Sequence, residues 1–132
     1  GDVNQARAAT PVLGAGDRPC CGSGDMARLD RARWIAATAA LRTLCPVYRY
    51  EVTVRRCTMP KDCDGYVRPD GDTKLSVRVN RALETSQAVE VLVHEWAHAM
   101  TWDIEHERSW SHSAYWGVAY AEAYRAVYNP HE

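Results

Sequence analysis

The stretch VLVHEWAHAMTW, Val91 to Trp102, places two histidines four residues apart with a glutamate directly after the first. Val89, Leu92, Val93, Trp96, Ala97 and Met100 recur at helical spacing and give the segment one apolar face. Thr85 or Ser86 can cap its start. Four residues of α-helix turn through about 400°, so His94 and His98 are expected one turn apart on nearly the same face. Both imidazoles can then reach one ion.

The segments around this helix define the rest of the fold. From Asp25 to about Cys45, residues Met26, Leu29, Trp34, Ala37, Leu41 and Leu44 follow a helical period that Pro46 stops. In VYRYEVTVRRC, Tyr48, Tyr50, Val52 and Val54 alternate with polar residues, as in a strand with one buried face. After a loop carrying MPKDCDG, the segment GYVRPDGDTKLSVRVN reads as a hairpin turning at Pro69, Asp70 and Gly71, with Leu75, Val77 and Val79 on one face. A last helix is expected from about Ser111 to Tyr128, before Asn129 and Pro130. The expected class is α+β: a three-stranded or slightly larger sheet against an N-terminal helix, the His-bearing helix and a C-terminal helix. Residues 1–24, rich in Gly, Ala, Pro and Asp, read as a flexible arm before a single domain over 25–132.

Composition narrows the function classes. With 46% hydrophobic and 25% charged residues the chain is expected to fold. Sixteen basic and seventeen acidic residues give a net charge of -1, so no overall field favours nucleic acid or an anionic membrane. No apolar run approaches the roughly 20 residues that span a bilayer, and the first residues lack the pattern of a signal peptide. A cytoplasmic setting is expected, with a secreted mature form as the alternative. Cys20, Cys21, Cys45, Cys57 and Cys63 follow no zinc-ribbon spacing. Reduced thiols, with Cys45 buried on a helix, and one or two bridges involving Cys57 and Cys63 are equally compatible with that pattern.

Neutral imidazoles are good ligands for Zn²⁺, and a carboxylate next to the first ligand can approach a metal-bound water without coordinating. Glu95 is therefore the candidate general base for hydrolysis of a peptide bond, with one catalytic Zn²⁺ as cofactor and a protein or peptide as substrate. Such a site needs a third protein ligand. Asp103, Glu105, His106, Glu107 and His112 are the downstream candidates. On a straight helix His106 would lie roughly 12 Å along the axis from His98. His112 is better placed, because Ser109 to Ser111 can return the chain and Ser111 can cap the next helix. Tyr115, Tyr120 and Tyr124 are candidate oxyanion donors or packing residues. Arg55, Arg56, Arg68 and Arg78 fit either an anionic partner or a solvated sheet face, Trp110 is a candidate cleft wall, and Asp103 to Glu107, DIEHE, reads as an exposed loop.

Between about Tyr66 and Tyr128 the chain resembles the SprT-like and Spartan-type zinc metalloproteases. Their His-Glu-x-x-His helix with a following Trp is similar to HEWAHAMTW, and their third histidine, which opens the next helix, is matched by HSAYW. The resemblance implies a minimal zincin-like domain with His94, His98 and His112 as ligands, Glu95 as catalytic acid/base, and Trp102 and Trp116 as packing positions. Ser113 stands where the family usually has glycine. No downstream cysteine pairs accompany the motif, so the zinc ribbon of many relatives and their DNA-linked targeting are not expected. Two other readings make different predictions: a non-hydrolytic metal-binding interaction module binds zinc without turnover, and a structural domain with core histidines binds none.

Overall fold

Asp30 is extended, and its carboxylate accepts a hydrogen bond from the Arg33 N–H at 3.1 Å, which caps helix α1, Arg31–Leu44. The structure is a computed structural model that describes residues 30–108 and 112–129. The expected arm over 1–24, the proposed helix start at Asp25, Cys20, Cys21 and Trp110 lie outside the described residues. After α1 come strands β1, Glu51–Cys57, β2, Gly65–Pro69, and β3, Lys74–Asn80. Helices α2, Thr85–Met100, α3, Trp102–Arg108, and α4, Ala114–Tyr128, follow. The fold is thus α+β, with four helices and one small mixed sheet among the described residues.

The sheet order is β1-β3-β2, with β1 parallel and β2 antiparallel to β3. The hairpin is present and turns at Gly71, whose φ of 88° is readily accessible to a residue without a Cβ. Central β3 is the most apolar strand: Leu75, Val77 and Val79 are fully buried. They meet Val52 of β1, Val67 of β2 and the stripe Val89, Leu92, Val93 and Trp96 of α2 in one core. Burying each such aliphatic side chain contributes about 1.5–3 kcal/mol before entropy is counted. The Trp96 indole donates to the Cys45 carbonyl at 2.8 Å, fixing the end of α1 on α2.

Several expected boundaries move for local reasons. The first strand begins at Glu51 rather than Tyr48, because Arg49 has a φ of 79° and breaks the alternation; Tyr48 is exposed. Neither Thr85 nor Ser86 caps α2. Its N-cap is Glu84, and the Thr85 hydroxyl instead accepts from the Asp30 N–H at 2.7 Å, joining the starts of two helices. The DIEHE segment is helical, not an exposed loop: the chain breaks only at Thr101 and resumes helix through Glu105 N–H to Thr101 O at 2.9 Å. Helix α4 starts at Ala114, not Ser111, and Ser113 is its cap, accepting from the Trp116 N–H at 3.3 Å. Cys45 is buried as expected, and no bridge joins Cys57 to Cys63.

Gly65 packs against α2 with no room for a side chain. A Cβ there would lie 2.6 Å from Val91 Cγ1 and 2.8 Å from the Arg78 carbonyl oxygen, and the second contact is backbone that cannot swing away. Gly65→Ala is expected to lower stability by about 1–3 kcal/mol through overpacking, read as a fall in thermal midpoint, and a melt equal to the parent's would contradict this contact.

Candidate metal centre

Helix α2 presents His94 and His98 one turn apart, and the short return between α3 and α4 brings in His112. The His94 and His98 Nε2 atoms are 3.3 Å apart, His98 and His112 3.0 Å, and His112 and His94 3.3 Å. Their rings incline to one another by 64°, 59° and 61°, so the three edges converge like propeller blades. Two nitrogens at about 2.0–2.1 Å from a tetrahedral ion are about 3.3 Å apart. The triangle therefore fits a three-imidazole metal site, and these are the only residues brought together in this way among those described.

Each histidine of the triangle is held by a different device. His98 is almost completely buried, and its Nδ1 lies 3.0 Å from Glu105 Oε1. A carboxylate oxygen in that place accepts from an Nδ1–H, an arrangement that turns Nε2 of the ring into the triangle. His112 sits immediately before the α4 cap with a φ of 56°, a left-handed conformation that histidine adopts more readily than most residues. Trp116, one turn into α4, packs against all three imidazoles with centroid distances of 5.0, 5.3 and 4.6 Å. Burial, followed by its two histidine neighbours, pushes the His94 imidazolium pKa down to about 4, which favours the neutral ligand form.

Glu95, next to His94 in the chain, lines with it a cleft of 340 Å³ that also includes Asp64, Gly65, Glu90 and Tyr120. It is 5% exposed, and its Oε1 has no hydrogen-bond partner. Burial first, then the charge of Glu105, pushes its pKa up to about 8. A dry carboxylate facing a cleft beside three convergent imidazoles can exchange a proton with a molecule held there.

The other sequence candidates separate clearly. His106 is exposed, its Nδ1 pairs with the Trp102 carbonyl at 2.8 Å and its ring lies on Trp102, away from the triangle. Asp103 accepts from the Tyr50 hydroxyl at 2.6 Å and from Arg49. Glu105 stands behind His98 instead of supplying a third ligand. Of the three tyrosines, Tyr120 lines the cleft, whereas Tyr115 and Tyr124 are 50% and 43% exposed. Arg56 donates to the Asn80 and Leu83 carbonyls and Arg78 to the Ser76 hydroxyl, so these two bind the chain to itself. The Glu105 contact has no periodic signal in the sequence, since seven residues of straight helix span about 10.5 Å, and the break at Thr101 is what brings the two side chains within reach. Comparisons with protein-family models, with curated proteins and with solved structures return no match.

Two outcomes are expected. Removing the carboxylate in Glu105→Ala should weaken metal binding about 10–100-fold, read by competition with a chromogenic chelator, and unchanged affinity would remove its orienting role. In the metal-free protein, burial pushes the Glu95 pKa up to about 8 in the folded state, while the unfolded chain loses the proton near the ordinary value of 4.5. Between those limits the native state binds more protons, so this group's contribution to stability falls as pH rises. Glu95→Gln should remove that slope, and metal-free melts at pH 5 and pH 8.5 measure it; parallel losses in parent and variant would contradict the assignment.

Proposed function

We propose that the protein is a zinc-dependent metallopeptidase of the SprT-like, zincin type, hydrolysing peptide bonds in a protein or peptide substrate. The observation that carries this reading is the pairing of a convergent three-imidazole triangle with the buried, unpartnered Glu95 oxygen in the adjoining cleft. His94, His98 and His112 would hold the ion, and three neutral nitrogen donors suit Zn²⁺. When bound, zinc lowers the pKa of water and polarises a carbonyl.

The chain's own residues supply the remaining steps. Glu95 takes the proton of the attacking water and returns it to the departing amine; its dry setting makes both transfers feasible for a carboxylate. Tyr120 lies in the same cleft, stacked on Trp116 at 5.0 Å, and its phenol is the candidate donor to the developing oxyanion. Strand β2 is an edge of the sheet and begins at Gly65 on the cleft, so an extended substrate can pair along it and carry its scissile bond past Glu95. No helix among the described residues is long and apolar enough to cross a membrane.

The decisive measurement is zinc content alongside cleavage of an unfolded protein. About one zinc per chain is expected in the parent, sharply less in His112→Ala, and full zinc with a rate lowered about 10²–10⁴-fold in Glu95→Gln. A Glu95→Gln variant that cuts like the parent would refute the mechanism. Zinc without any cleavage would leave the site to a non-hydrolytic interaction module.

A further inference from the structure

The cleft beside Glu95 has a one-signed wall. Asp62, Asp64 and Glu90 line it together with Glu95, and no lysine or arginine among the described residues does. Asp62, Asp64 and Glu90 are exposed, and none of them makes an ion pair among the described residues. Glu90 precedes His94 by one helical turn, so the two share a face of α2. Asp64 stands directly before Gly65, where β2 packs closely on α2. The acidic wall and the histidine triangle are therefore parts of one surface.

This wall is fixed in place. Buried Asn80, at the end of β3, donates through Nδ2 to the Cys63 carbonyl at 2.8 Å, and its own N–H donates to the Asp64 carbonyl at 2.8 Å. The loop that carries both aspartates is thus tied to the central strand. An independent sign of a ligand comes from Glu95 itself, 95% buried with an unpartnered oxygen in the same cleft, since a buried polar atom left without a partner is costly unless something binds there. The acidic side chains do not converge closely enough to hold a second metal ion; the histidine triangle is the only such group among the described residues. Carboxylates spread along an open wall suit a long, flexible cationic side chain, whose aliphatic stem can lie on Val91 while its charged end meets the acids.

We propose that this cleft is a specificity subsite for a lysine or arginine side chain next to the scissile bond, with Asp62, Asp64 and Glu90 as its recognition residues. The inference rests on the peptidase reading for its biological use, but the recognition of a cationic side chain can be tested without turnover.

The test uses two blocked peptides that differ only in arginine against citrulline, its neutral isostere. Binding of each to the metal-free protein is measured by calorimetry, and kcat/KM is measured with the zinc-loaded protein. The parent should prefer arginine about tenfold in binding, the worth of two or three partly exposed charge pairs, and the preference should weaken with salt. Asp64→Asn with Glu90→Gln, two exposed positions, should bring the ratio to about one while leaving the melt unchanged. Equal binding of the two peptides to the parent would overturn the subsite, as would a preference that survives the double substitution. Selective binding without cleavage of either peptide would sustain the subsite and count against the peptidase reading. Cleavage of both peptides at one rate, with equal binding, would do the reverse.

Discussion

Three imidazole nitrogens held within 3.0–3.3 Å of one another are the constraint around which this small domain is arranged. Neutral rings can be brought together in this way, whereas protonated ones repel, and burial of His94 disfavours its protonation. Two of the three nitrogens come from a helix packed on the sheet, whose backbone cannot shift without disturbing the core around Val89, Leu92, Val93 and Trp96. The third must be delivered by a return of the chain. His112 achieves this in a left-handed backbone conformation, a cost of order 1–3 kcal/mol that the surrounding structure has to offset. The Ser113 cap and the packing of Trp116 beneath the rings are the contacts available to do so.

Helix α3 serves this arrangement as a bracket. The break at Thr101 lets the chain change direction after α2, and Glu105 then lies close enough to hold the Nδ1 side of His98. At its outer face α3 is latched by Asp103, which accepts from Tyr50 and Arg49 on the segment before β1. Arg49 and His112 are the two non-glycine residues with positive φ among those described, and one lies on each side of this bracket. Backbone strain thus collects where the third histidine of the triangle and its support are fixed, not in the sheet or in the long helices.

The parts of the fold that were legible in the sequence are those set by period and by local chemistry. The α2 stripe, the alternation through Leu75, Val77 and Val79, and the turn at Gly71 each depend on residues close in the chain. The His94 and His98 pair and the choice of His112 were legible for the same reason, since helical geometry excludes a straight continuation to His106. What escaped depends on tertiary contact. Thr85 is a good cap by type but spends its hydroxyl on Asp30, 55 residues away. The parallel pairing of β1 with β3 joins strands that β2 separates in the chain, and no local signal marks it. Gly65 reads as an ordinary strand residue until α2 is laid across it. The role of Glu105 requires knowing that DIEHE is helix, which follows from how the chain breaks at Thr101.

Three glutamates within two adjoining helices show how surroundings divide one side chain into separate chemistries. Glu90 is wet, so its carboxylate stays available to solvent and to passing charge. Glu105 is dry but paired with His98, so its charge is used locally to orient a ring. Glu95 is equally dry and has no such partner on Oε1, and burial, reinforced by the charge of Glu105, raises its affinity for a proton. These differences arise from where α2 meets β2. At Gly65 the strand packs closely on α2 beside the Glu95 stem, while Glu90, five residues nearer the start of the helix, is exposed. A larger residue at position 65 would part the strand from the helix and let water reach Glu95, so that the glycine controls the dielectric of the carboxylate as well as the packing of the sheet.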